Sequence, residues 1–212
     1  PDELRERLLS FRKGTTAPYT YRGFNLPNAM LAFRLHFLGL EDVLESIQFE
    51  NKQYRVFRGD SVGATMLKPG GWEPRVHVVI TALTDEKSVF VDVGANIGYH
   101  SVRMLGKVEM VVAVEPHPLV REVLNLNVAT NRSTTTRVAV LDCALGATRF
   151  DSALPNMHPG HCNMGSIVLD DHGDIPVPVI PFDAHPLFTG IDRVTIVKID
   201  CSGNELQVVQ GA

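Results

Sequence analysis

Four apolar, largely β-branched runs in this chain each finish at or beside a carboxylate, and that recurrence narrows the possible folds more than any other feature. They are Val89-Phe-Val-Asp-Val93, Met110-Val-Val-Ala-Val-Glu115, Arg137-Val-Ala-Val-Leu-Asp142 and Val194-Thr-Ile-Val-Lys-Ile-Asp200. Hydrophobicity that is continuous rather than alternating suits a strand covered on both faces, as in a parallel sheet flanked by helices. Helical segments fill the gaps. Ile97, Val102, Met104 and Leu105 form an apolar stripe that Gly106 stops, and a helix is predicted from Leu119 to about Asn131 with Val120, Val123, Leu124, Leu126 and Val128 on its buried side. Strand and helix alternating in this way specify an α/β chain. Unrelated surface acids would not recur at one strand position, so Asp92, Glu115, Asp142 and Asp200 are expected to share the C-terminal rim of the sheet, where open α/β folds bind ligands.

The turn after the first run, Gly94-Ala-Asn-Ile-Gly98, narrows the ligand. A strand-to-helix turn of this kind is expected to offer backbone N–H groups. A dinucleotide site needs Gly-x-Gly-x-x-Gly so that a pyrophosphate can reach the backbone, and Gly94 with Gly98 does not have that spacing. Asp92 would also repel a desolvated phosphate, whereas it would attract a cation. S-adenosylmethionine carries a sulfonium and an ammonium group and no phosphate, which suits an acidic turn. Glu115, about twenty residues further on, stands where nucleotide folds hold a ribose. Asp142 could accept from an adenine amino group. Plainer readings exist for each: a cap or turn residue for Asp92 and Asp142, a solvated strand end for Glu115.

Length and composition bound the rest. The 212 residues, 44% of them hydrophobic, suffice for one sizeable core. A formal net charge of −4 without a Lys/Arg cluster argues against a nucleic-acid partner. The longest apolar segment, Ala29 to Leu40, is broken by Arg34 and His36, so no membrane span is expected, and the charged start Asp2-Glu-Leu-Arg-Glu-Arg7 is no signal segment. The expectation is a soluble, cytoplasmic protein whose oligomeric state is open. Cys143, Cys162 and Cys201 lack paired metal-ligand spacing and read as reduced thiols, and no His cluster implies a metal.

Residues 1–69 read as an N-terminal helical and strand cap, and residues 70–212 as the ligand-binding domain. Met30, Leu31, Arg34, Leu35 and Leu38, then Val43, Leu44 and Ile47, fall at helical spacing, so the chain up to about Ile47 is predicted helical. Gln53–Arg58 reads as a strand ended by Gly59-Asp60, Pro69-Gly-Gly71 as a loop, and Val76 to Leu83 as a helix. Between residues 146 and 190, Ser166–Leu169 and Ile175–Ile180 look extended and are predicted to form a hairpin on the substrate side. Trp72, Tyr99, His158, His161 and Asn163 could stack on or hydrogen-bond to a sugar-like group.

Over about residues 70–212 the chain resembles the FkbM-type S-adenosylmethionine-dependent methyltransferases. The resemblance rests on Phe90-Val-Asp-Val-Gly-Ala-Asn-Ile-Gly98, on Ala113-Val-Glu-Pro116, on Asn127 with Asn131, and on Lys198-Ile-Asp-Cys-Ser-Gly-Asn-Glu205 followed by Gly211-Ala212. It implies the class I methyltransferase fold, a Rossmann-like, mostly parallel sheet with helices on both faces, and methyl transfer to a hydroxyl oxygen of a small molecule or glycan. It also implies roles. Asp92, Gly94, Asn96 and Gly98 would line the methionine part of S-adenosyl-L-methionine, Glu115 its ribose, and Asp142, Cys143 and Ala144 its adenine. Asp200 would sit by the sulfonium and the acceptor.

Methyl transfer needs the acceptor oxygen in line with the methyl group and a base for its proton. Asp200, Glu205, His100 and His161 are the candidate bases. One position departs from the family: members usually carry Glu two residues after the last strand's Asp, and here Ser202 stands there. A serine cannot serve as a carboxylate base. The family's sheet also continues with further strands, which are expected to be absent from this chain. A catalytically silent binding or scaffold protein on the same fold is therefore the alternative to an enzyme. A nicotinamide oxidoreductase is disfavoured by the acidic turn and the glycine spacing.

Overall fold

The computed structural model describes residues 19–20, 39–40, 42–156, 167–170 and 172–212. In chain order it begins with β1 (Tyr19–Thr20), a hairpin of β2 (Leu44–Phe49) and β3 (Lys52–Phe57), and two helices, α1 (Ser61–Met66) and α2 (Pro74–Ala82). The predicted alternation follows as β4 (Val89–Val93), α3 (Tyr99–Arg103), β5 (Met110–Val114), α4 (Pro118–Thr130) and β6 (Arg137–Leu141). A small sheet of β7 (Ala144–Gly146), β8 (Phe150–Leu154) and β9 (Ile175–Pro181) precedes β10 (Ile196–Ile199) and α5 (Glu205–Gln210).

The apolar runs build the main sheet, in the order β1-β6-β5-β4-β10, with β6, β5, β4 and β10 parallel and β1 antiparallel. Every residue of β4 and β5 is buried, as continuous hydrophobicity requires. On one face Phe90, Val111, Ala113 and Val140 pack with Ile80 of α2, Val102 of α3 and Leu119, Val123 and Leu124 of α4. On the other, Val91, Val93, Val112, Val114 and Leu141 pack with Phe182 and Phe188, from two short 3₁₀ turns, and Val208 of α5. Helices thus cover both faces. The fourth run differs from the reading of a buried strand. β10 is shorter than predicted and only partly buried, because among the described residues it pairs with β4 alone.

Two further expectations are corrected. Leu44–Phe49 is a strand, not the end of a helix: it pairs with β3 from Leu44↔Phe57 to Phe49↔Lys52 around a turn in which Glu50 takes φ 52°. Partner pairing across that turn overrides the helix-like spacing of Leu44 and Ile47. Met30, Leu31, Arg34, Leu35 and Leu38 lie outside the described residues. Ile175–Pro181 is extended as predicted, but its antiparallel partner is Phe150–Leu154, whereas residues 167–170 form no strand.

The β2–β3 hairpin is docked by two asparagines one helical turn apart, Asn127 on α4 and Asn131 at its C-cap. The Asn127 amide donates to Arg55 O at 3.0 Å and its oxygen accepts from Arg55 N at 2.6 Å. Asn131 repeats the pattern with Gln53, accepting from its N–H at 2.9 Å and donating to its carbonyl. Residues two apart on a strand edge thus meet side-chain amides that imitate a neighbouring strand. Leu44, Ile47, Tyr54, Val56 and Phe57 join the same hydrophobic cluster as Phe90, Val102 and Leu124, so hairpin and sheet share one core. Among the described residues no helix is long and apolar enough to cross a membrane.

Candidate functional site

The glycine turn after β4 is shaped by what lies behind it. Gly94, Asn96 and Gly98 take φ of 74°, 52° and 86°. A Cβ on Gly94 would stand 1.9 Å from the Asp200 carbonyl oxygen, and one on Gly98 would stand 2.4 Å from Leu124 Cδ1. Glycine is required at both by conformation and by space. Asn96 tolerates the left-handed region because its Oδ1 accepts from the next backbone N–H, Ile97, at 2.6 Å. The N–H groups of Gly94 and Ala95 both donate to Val114 O, that of Asn96 to Glu115 Oε2, and that of Gly98 to Ala95 O. All five turn amides are therefore satisfied within the protein. The expectation that this turn offers free N–H groups is corrected, and with them goes the donor set a pyrophosphate would need.

Charge at the rim is more structured than a row of acids. Asp92 is fully buried on β4; Ser101 Oγ donates to its Oδ2 at 2.7 Å, and Lys198 Nζ lies 3.2 Å from its Oδ1. Lys198 stands opposite Asp92 in the parallel register of β10 and β4. Burial is the largest influence on Asp92 and opposes its ionisation, but the Lys198 ammonium, His100 and the Ser101 hydroxyl together outweigh it and hold the carboxyl below its ordinary value. Burial likewise opposes the charged form of Lys198, yet Asp92 and then Asp200 raise its pKa, so it stays protonated. Its Nζ also lies 3.4 Å from Gly94 O and 3.8 Å from Asp200 Oδ2. Asp92 is thus a neutralised partner, and Asp200, whose side chain is 55% exposed, is the carboxylate left facing outward. Glu115 accepts from Asn96 N at 3.0 Å and His117 N at 2.8 Å, yet burial still pushes its pKa up to about 7.

These groups surround one cavity above the strand ends. Val93, Gly94, Ala95, Asn96 and Ile97 line it from the turn, Glu115, Pro116 and His117 from the end of β5, and Lys198, Asp200, Cys201, Ser202 and Asn204 from the end of β10. Val62, Trp72, Tyr99, His100, Ala144, Leu145, Leu154, Ile167 and Leu169 complete the wall.

A sequence model of the methyltransferase FkbM domain matches residues 92–212, over half of the chain and all three strand-end blocks of the cavity. The chain belongs to the FkbM methyltransferase family. No curated protein matches it. Among solved structures, a methyltransferase FkbM from Methylobacillus flagellatus is 23% identical over 60% of this chain and 29% of its own length, with a TM-score of 0.39. The TYW2 protein of M. jannaschii, solved with AdoMet, is 19% identical over 47% of this chain and 44% of that one, at a TM-score of 0.36. P. horikoshii TYW2, solved with MeSAdo, is 17% identical over 66% and 63%, also at 0.36. The chain thus spans less than two thirds of the length of each.

Within this FkbM domain the expected site residues divide. Gly94, Asn96, Glu115, Ala144 and Asp200 line the cavity. Asp92 and Gly98 stand behind the wall, shaping it. Asp142 is exposed at the end of β6 and outside the lining, and Cys143 is 2% exposed, its thiol pushed up to about 12 by burial. Glu205 has a different task from the one expected: its carboxylate accepts from Cys201 N and Gly203 N at 3.0 Å and closes the turn before α5. Those backbone donors hold its pKa down. His100 is 3% exposed and gives its Nε2 to Glu73 Oε2 at 3.0 Å. His161 lies outside the described residues, as do His158, Asn163 and Cys162. Lys198 is the site residue to which sequence reasoning gave no role. Its signal was a lysine inside a core-like strand, which calls for a carboxylate opposite.

Proposed function

We propose that this chain is an S-adenosylmethionine-dependent methyltransferase domain acting on a hydroxyl oxygen of a small molecule or glycan. The observation that carries the proposal is the pairing of a nearly buried carboxylate, Glu115, with a turn whose amides are all in use, beside an exposed Asp200. That combination suits a nucleoside without phosphates. Glu115, Asn96 and Ala144 would hold the nucleoside, and Lys198 keeps the buried Asp92 compensated behind it. Bound S-adenosylmethionine would supply an electrophilic methyl group on a sulfonium centre.

Among the candidate bases within the described residues, Asp200 alone combines a place in the cavity wall with an exposed side chain. Lys198 steers its carboxylate from 3.8 Å, while Glu205 is engaged by backbone amides and His100 by Glu73. Asp200 therefore takes the acceptor's hydroxyl proton in this reading. Calorimetric titration with S-adenosylhomocysteine is expected to give a dissociation constant of about tens of micromolar or tighter, and NADH none. Failure to bind, or binding unchanged in Glu115→Ala, would remove the basis of the proposal. Transfer from tritiated donor across sugar and small-molecule alcohols, lost in Asp200→Asn, tests the reaction. Ser202, in place of the family's usual Glu, favours a second reading as a silent binder. Cofactor binding without transfer to any acceptor, unchanged in Ser202→Glu, would support it.

A further inference from the structure

The loop between α1 and α2 brings Trp72, the sole tryptophan, into the cavity wall. Its backbone is unusual. Gly70, Gly71 and Glu73 take φ of 89°, 74° and 45°, three left-handed residues in four, and the last is not glycine. Such a conformation persists only where surrounding contacts impose it. Glu73 occupies the N-cap position of α2 but makes no side-chain cap hydrogen bond. Its carboxylate reaches instead to His100 Nε2 at 3.0 Å. His100 is well fixed: its ring is 3% exposed and stacks with His77 at 6.4 Å, and its Nδ1 is buried without a hydrogen-bond partner among the described residues.

A second tie lies one residue back. The Trp72 backbone amide faces the Tyr99 hydroxyl, to which Arg103 Nη1 donates at 3.0 Å. Arg103 is itself gripped by Glu50 and lies 5.2 Å from the ring centres of Phe49 and Tyr99. The loop is also tight: a Cβ on Gly71 would fall 2.4 Å from Phe49 Cζ and 2.5 Å from Tyr99 Oη. Two consecutive residues of α3, Tyr99 and His100, therefore line the cavity and hold the loop that carries its indole.

We propose that Glu73 and His100 are positioning residues that strap the Trp72 loop into the cavity wall, with the Trp72 ring set as a platform for the bound ligand. This deepens the reading of the site as an S-adenosylmethionine cavity and rests on it for the ligand, but the strap itself can be tested without one. Because Trp72 is the sole tryptophan, its emission reports on the loop directly. In the intact chain Trp72 is expected to be shielded from acrylamide. In Glu73→Ala quenching should rise about twofold or more and S-adenosylhomocysteine affinity, by calorimetry, should fall about fivefold, the scale of one typical lost hydrogen bond. Glu73→Gln, which still accepts from Nε2, should restore both. Glu73→Gly deletes the tie while relieving the left-handed strain, so it reproduces the loss without unfolding the protein. Unchanged quenching and affinity in both the Ala and Gly variants would overturn the strap while leaving cofactor binding standing. A wild-type chain that binds no S-adenosylhomocysteine but still shows the quenching difference would retain the strap and sink the cofactor reading.

Discussion

Glu115 is held in surroundings that favour its protonated form, although two backbone amides point at it. Its folded pKa of about 7 lies above its ordinary 4.5, so its contribution to stability is whole below about 4.5 and is lost as pH rises through about 7. In the proposed role of Glu115 as ribose acceptor, binding follows the opposite sign, because the ionised carboxylate is the better acceptor for two hydroxyls. S-adenosylhomocysteine affinity should therefore rise about tenfold between about pH 6 and about pH 8, and Glu115→Gln should flatten that profile and weaken binding at the upper end. Titration calorimetry at a series of pH values checks both. The place of Glu115 on the cavity rim was legible in the sequence, since it closes the second apolar run. The state of Asp92 was not. Its partner Lys198 lies more than a hundred residues away, and only the register of two parallel strands shows that the pair meets. An anion that looked free to attract a cation is already matched.

At the level of elements, side-chain amides do work usually left to backbone. Asn127 satisfies the N–H and C=O of Arg55 and also donates to Ile97 O at 2.7 Å, within the glycine turn. Asn127→Ala leaves those groups unmatched and should cost about 2–3 kcal/mol. Asn131→Ala, at a more exposed edge, should cost about 1 kcal/mol. Urea unfolding measures each, and equal small losses would refute the docking role assigned to Asn127. β4, β5 and α4 were readable because their burial follows directly from hydrophobic runs and stripes. β2 and β8 were not. Ser46 and Gln48 dilute the first and Asp151 and Ser152 the second, so what makes them strands is the partner each finds across a turn or a long insertion.

For the whole molecule, the shared cluster of hairpin, helices and sheet predicts one cooperative event. Far-ultraviolet circular dichroism and Trp72 emission should give coincident urea transitions, and a resolved early loss of the hairpin would contradict a common core. The cavity draws on residues near 95, 115, 144 and 200, contributed by segments far apart in the chain. This has a bearing on the order of assembly. A ribosome making the protein from its N-terminus completes β4 long before Lys198 emerges. Until β10 docks, Asp92 must either keep its strand loose or wait protonated, since a lone carboxylate in an apolar sheet is strongly penalised. Among the described parallel strands the latest to be made is therefore the one that lets the earliest set, and a chain truncated before β10 lacks both the partner of Asp92 and one wall of the cavity.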